Sequence, residues 1–140
     1  MNYKKEIDKV SKLLNISSPK IIYNPYLAFS YMENIIYYKK LDDEFKMLFL
    51  FFHELRHHYQ SIYIKNNKTP LSSLWKDEMD NYNIEYYLDY DIEIDAYSFA
   101  YLILKYRYNF NYLLSDNIKN IVLKHIQNNM NRYKHLLDLE

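Results

Sequence analysis

The run Met47 to Phe52 is apolar on every face of a helix, and it leads straight into His53-Glu54-Leu55-Arg56-His57. A surface helix carries one apolar stripe, so a segment from Phe45 to Phe52 with no polar face predicts a helix buried on all sides. Asp42 or Asp43 supplies an N-cap, and the helix is expected to continue to about Lys65. Polar side chains entering a buried helix at His53 and Glu54 are costly unless something satisfies them. That cost is the first physical sign of a site.

The pentapeptide has the pattern H-E-x-x-H. Residues four apart on a helix sit one above the other, so His53 and His57 point the same way and can reach one Zn²⁺. Glu54 lies about 100° round the helix, poorly placed as a ligand but able to reach a water at an open coordination position. Zinc lowers the pKa of such a water towards roughly 7, and a carboxylate can take its proton during attack. The plain alternative is a surface helix whose histidines happen to fall four apart, which fits poorly with the apolar run. The chain has no cysteine, so any metal site must be built from His, Asp and Glu.

Two imidazoles leave a catalytic zinc one protein ligand short. The candidates lie in Asp91-Ile92-Glu93-Ile94-Asp95-Ala96-Tyr97-Ser98-Phe99-Ala100. Glu93, Ala96, Tyr97 and Ala100 share one helical face, and the small alanines let two helices approach closely. Asp91 suits the negative charge favoured in a first helical turn. Asp95 lies about 200° from Glu93 round the helix, so both are not expected to serve. Glu93 is the favoured third ligand and Asp95 the alternative.

This pair of motifs resembles the gluzincin-type zinc metallopeptidases. More narrowly, Glu93 to Ala100 is similar to the E-x-x-A-N-x-F-A element of ImmA/IrrE-type peptidases. The resemblance covers about residues 20–105 and implies Glu93 as the zinc ligand on a helix that follows the H-E-x-x-H helix. Tyr97 stands where that family has Asn, and Arg56 where a Gly commonly precedes the second histidine. A hydrogen bond that orients a histidine is therefore expected from Tyr97 or from elsewhere. The resemblance also implies strand addition of an extended peptide, here at Ile35 to Tyr38.

Around the motifs the sequence predicts an α+β fold. It would be a minimal zincin-like domain, with a small antiparallel sheet packed on four or five helices and residues 1–140 as one domain. Residues 3–14 read as an amphipathic helix stopped by Ser17-Ser18-Pro19. Strand-like pieces follow at Ile21–Tyr23, Leu27–Met32 and Ile35–Lys39, read as an antiparallel meander. Helices are expected over 73–83, anchored by Trp75, over 91–107, and over 116–137. His58 lies off the metal face, and His125 and His135 carry no motif and read as structural. Gln60 returns to the metal face and either lines the cleft or packs beside it. Arg56 would bind a substrate carboxylate or, more commonly, an acidic neighbour. With 18 tyrosines, no single oxyanion donor can be chosen.

Lys plus Arg equals Asp plus Glu at 18 each, without the basic stripe of a nucleic-acid binder. The charged start Met1 to Glu6 does not read as a signal peptide, and no apolar run reaches the roughly 20 residues of a membrane span. The expectation is a cytoplasmic zinc metallopeptidase acting on a peptide or protein. Metal would be held by His53, His57 and Glu93, with Glu54 as general base. Two rival classes make different predictions. A non-catalytic regulatory module would keep the zinc site without turnover, and a structural protein with an accidental motif would bind no zinc.

Overall fold

The computed structural model describes residues 1–137, and the fold is α+β. Helix α1 (Tyr3–Leu13) leads into strands β1 (Lys20–Tyr23), β2 (Ser30–Met32) and β3 (Ile35–Tyr38). Helices α2 (Glu44–Asn66) and α3 (Pro70–Asp80) follow, then a 3₁₀ segment (Ile84–Asp89). Helices α4 (Asp91–Arg107), α5 (Asp116–Asn128) and α6 (Met130–Leu137) complete the described chain. Among the described residues no helix is long and apolar enough to cross a membrane.

A chain without glycine must find other residues for its left-handed positions, and asparagine is the usual substitute. Asn15, Asn34 and Asn109 all have positive φ, as does Glu33. Asn15 ends α1 before the expected Ser-Ser-Pro stop. Its N–H bonds Lys12 C=O and that of Ile16 bonds Ser11 C=O, the paired closure of a Schellman motif. Glu33 and Asn34, both left-handed, form the tight turn between β2 and β3.

The sheet corrects the predicted antiparallel meander. Its order is β1-β3-β2, with β3 antiparallel to β2 and parallel to β1 (Lys20 opposite Ile35). Residues 24–29 are long enough to carry the chain past the site where β3 later inserts, so β1 never meets β2. An Asn24 turn, with its side chain accepting from Tyr26 N–H, also delays the second strand from Leu27 to Ser30. Ile35–Tyr38 is therefore the central strand with both edges occupied, which overturns its expected role in peptide addition.

Helix α2 runs through the core as its composition requires. Met47, Leu48, Phe49, Phe51, Phe52 and Leu55 are all buried, and Asp43 is the cap, accepting from Phe45 and Lys46 N–H. Phe51 meets Tyr3, Phe29 and Tyr38 with ring centroids 5.1–5.2 Å apart, tying α1 and the sheet to α2. Opposite, α4 lies close along α2 with Ala96 and Ala100 fully buried in the contact. The segment after α4 covers the start of α2, stacking Phe110 on Phe45 and Tyr112 on Phe49 at 4.0 Å.

Two further helical segments differ from expectation. Helix α3 begins at Pro70 rather than Ser73, because Thr69 and Ser72 form a capping box and proline suits the first turn. The predicted helix over 116–137 is two helices. Asn129 turns its side-chain N–H₂ to His125 C=O at 2.9 Å, taking the carbonyl its own backbone would use, and the chain bends there. That bend and the 3₁₀ segment account for six α-helices and one 3₁₀ segment among the described residues, where four or five helices were expected.

Candidate metal centre

Successive turns of α2 present His53 and His57 on one face, and the first turn of α4 brings Glu93 against them. His53 Nε2 and His57 Nε2 are 3.2 Å apart, and Glu93 Oε1 lies 3.3 Å from the first and 3.0 Å from the second. These three residues form the one His/Asp/Glu group among the described residues whose ligand atoms all lie within 4.8 Å of one another. Bonds of about 2.0–2.1 Å at a tetrahedral angle separate neighbouring ligands by about 3.3–3.4 Å. The observed separations of 3.0–3.3 Å fit the spacing of three such ligands.

The chemistry of the donor set agrees with the distances. Two imidazole nitrogens and a carboxylate oxygen crowd together, and such a group needs positive charge between its lone pairs. In the metal-free protein a proton can supply it. Burial opposes a charge on His57, but its bond to Glu93 and the Glu54 and Glu93 carboxylates outweigh that, and its pKa is pushed up to about 9. Burial likewise opposes ionisation of Glu93, yet both histidines hold it well below the usual carboxylate range. The residues therefore fit a divalent cation with nitrogen and oxygen preference.

Glu54 stands beside this triangle and outside it, its carboxylate 3.9 Å from His53 Nε2. Burial pushes its pKa up, the two histidines pull it down, and Glu93 raises it further. Among the described residues no group donates a hydrogen bond to its carboxylate, which lines a cleft of about 430 Å³ with His53 and Tyr97. Phe29, Leu41 and Leu50 give the cleft apolar walls, and Lys39 and Lys46 give it two cations. The positions expected for two histidines, a third ligand and a base are thus brought together on one side of the α2–α4 pair.

Two tyrosines complete the surroundings. Tyr82 donates to Glu93 Oε2 at 2.6 Å, which leaves Oε1 as the oxygen facing the histidines. It precedes α4 in a segment without periodic pattern, and among 18 tyrosines nothing in the sequence marked it. Tyr97 lays its ring 4.4 Å from that of His53, and burial with the nearby Glu93, Tyr87 and Glu54 pushes its pKa up to about 12. It stays a neutral hydroxyl at the cleft wall. Neither Tyr97 nor any other described group bonds the buried His53 Nδ1. The histidine that does receive an orienting contact is His57, whose Nδ1 lies 2.8 Å from Gln60 Oε1.

The other acidic and basic candidates face elsewhere. Asp95, the alternative ligand, is fully buried and bound to Arg56 at 2.7 and 3.2 Å, on the face of α4 turned from the cleft. Arg56 therefore has its acidic partner within the fold. Asp91 accepts from the Trp75 indole and from Arg132, each at 2.8 Å. His58 is buried between Ser17 C=O and the Tyr31 hydroxyl, a clasp between α2 and the sheet. His125 meets Tyr133 at 2.9 Å, and His135 is exposed on α6.

No family model matches the chain, and no curated protein or solved structure matches it.

Proposed function

We propose that this protein is a zinc metallopeptidase that hydrolyses peptide bonds in a peptide or protein substrate. The observation that carries the reading is the 3.0–3.3 Å triangle of His53, His57 and Glu93 with the Glu54 carboxylate beside it, on an open cleft. His53, His57 and Glu93 would hold the metal. A zinc ion there supplies an acidified water and a polarised substrate carbonyl.

The chain's own residues perform the remaining steps. Glu54, lifted by burial towards the range of a useful base, takes the proton of the attacking water and passes it to the leaving amine. Tyr97 presents a neutral hydroxyl at the same wall, the type of donor that steadies a developing oxyanion. Tyr82 holds the second oxygen of Glu93, which would leave Oε1 as the oxygen offered to the metal. The cleft's apolar walls and lysines would seat an extended peptide. The balanced charge favours such a partner over nucleic acid, and the cytoplasm is the proposed setting.

The test is cleavage of a proteome-derived peptide library, read by mass spectrometry, by wild type and Glu54→Gln. The proposal predicts defined products from zinc-loaded wild type that vanish with chelator, and none from Glu54→Gln although it retains its zinc. Full zinc occupancy without any product would replace the enzyme with a non-catalytic zinc module.

A further inference from the structure

His57 turns one ring nitrogen to the metal triangle and the other to the protein interior, where a chain of polar groups runs to the C-terminal helix. The first group in that chain is Gln60, one turn further along α2 and fully buried. Its side-chain nitrogen lies 2.8 Å from Ile92 C=O and 2.8 Å from Asp95 Oδ2. Both neighbours only accept hydrogen bonds, since one is a backbone carbonyl and the other a carboxylate gripped by Arg56. The reverse orientation of the amide would set its oxygen against two oxygens in a place water does not reach. Two acceptors thus consume both amide hydrogens and fix the amide.

That orientation dictates the state of His57. Gln60 Oε1 faces Nδ1 at 2.8 Å, so Nδ1 must carry a proton and donate it. With one proton fixed there, Nε2 is the nitrogen that faces Glu93 and His53, and it is the one that would exchange its proton for a metal. Asp95 is held in turn from α6, by the Tyr133 hydroxyl at 2.6 Å and Arg132 at 3.3 Å. Asp95 lies two residues from the proposed ligand Glu93 and serves the same centre from behind.

We infer that Gln60 is a positioning residue of the metal centre and that α6, acting through Tyr133, Asp95 and Gln60, governs how tightly the centre holds its metal. The inference rests on the metal-binding part of the proposed function and not on peptide hydrolysis. Active or inactive, the protein should show the same relay.

The experiment measures zinc affinity by competition with a chromophoric chelator for wild type, Gln60→Met and Tyr133→Phe. Val122→Ala, which truncates a buried core residue on α5, is the control for stability alone. Gln60→Met should bind zinc about 10- to 100-fold more weakly, as loss of a partner behind a metal-binding histidine does. Tyr133→Phe keeps the ring and loses only the hydroxyl, and should weaken binding on the order of threefold. Val122→Ala should leave affinity unchanged. Nitrogen-15 NMR of histidine-labelled, zinc-loaded protein supplies a readout that packing would not move. Wild-type His57 should show a slowly exchanging Nδ1–H proton that exchanges fast in Gln60→Met. A protected Nδ1–H that survives Gln60→Met overturns the inference. So does a Gln60→Met affinity within twofold of wild type, or an equal loss in Val122→Ala. Wild type without zinc affinity would overturn it together with the metal reading. Tight zinc binding without peptidase activity would sink only the catalytic reading.

Discussion

Replacing Asp95 by Asn tests whether this residue is a buried anchor or a metal ligand. The substitution keeps size and one carbonyl oxygen but removes the charge that Arg56 and Arg132 share. Arg56 has a side chain only 1% exposed, with Asp95 at 2.7 Å as its anionic partner. Breaking a buried ion pair from one side leaves the other charge uncompensated and costs about 3–5 kcal/mol. Against a total stability of roughly 5–15 kcal/mol the variant should still fold, with its melting temperature lowered by about 10–15 °C. Urea unfolding of metal-free wild type and Asp95→Asn measures the difference directly. The loss should be present without any metal, because the ion pair does not involve the metal triangle. A second readout follows from acidity. Burial opposes ionisation of Asp95, but Arg56, Arg132 and the Tyr133 hydroxyl hold its pKa well below the ordinary 3.8. Its contribution is therefore complete above pH 3.8 and lost as pH falls below it, so the gap between the two proteins should narrow in acid. A metal-free difference under about 1 kcal/mol would refute the anchor role. A loss seen only in zinc-loaded protein would restore Asp95 as the ligand.

Three further outcomes follow from the same geometry. With the His57 pKa raised from 6.5 to about 9, metal-free protein should hold this contribution below pH 6.5 and lose it as pH rises to about 9. The loss should be roughly 3 kcal/mol in urea titrations at successive pH values. Zinc should remove this dependence and release a proton on binding near pH 7, measurable by calorimetry in buffers of different ionisation enthalpy. Tyr82→Phe frees the second oxygen of Glu93 and should weaken zinc binding about tenfold by chelator competition, with little change in metal-free stability. Thr69→Ala removes the N-cap and capping box of α3 and should cost about 1 kcal/mol in thermal unfolding without altering zinc affinity.

Much of this arrangement was legible in the residues, for identifiable reasons. Periodicity alone placed α2 in the core, since Met47 to Phe52 has no polar face. The four-residue spacing of His53 and His57 is local geometry that no tertiary contact needs to supply. Glu93 could be favoured over Asp95 because Ala96 and Ala100 mark the side of α4 that approaches another helix. The sheet order is not legible in the strands themselves, because pairing depends on the path of residues 24–29, and strand pattern says which face is apolar without naming the neighbour. The division at Asn129 turned on one side-chain bond to His125 C=O that no apolar periodicity reveals. Gln60 was visible on the metal face of α2. Its partner Ile92 C=O belongs to another helix, so its role emerges only once α2 and α4 are docked. Tyr82 was the least accessible, lying in a non-repeating segment among many tyrosines.

The most direct test of the three-ligand centre is the metal content of protein purified without added zinc, for wild type beside His53→Ala and Glu93→Ala. About one zinc per chain is expected in wild type and loss from both variants, as a site with three protein ligands requires. Zinc kept in Glu93→Ala, or wild type that stays metal-free even when zinc is offered, would contradict it.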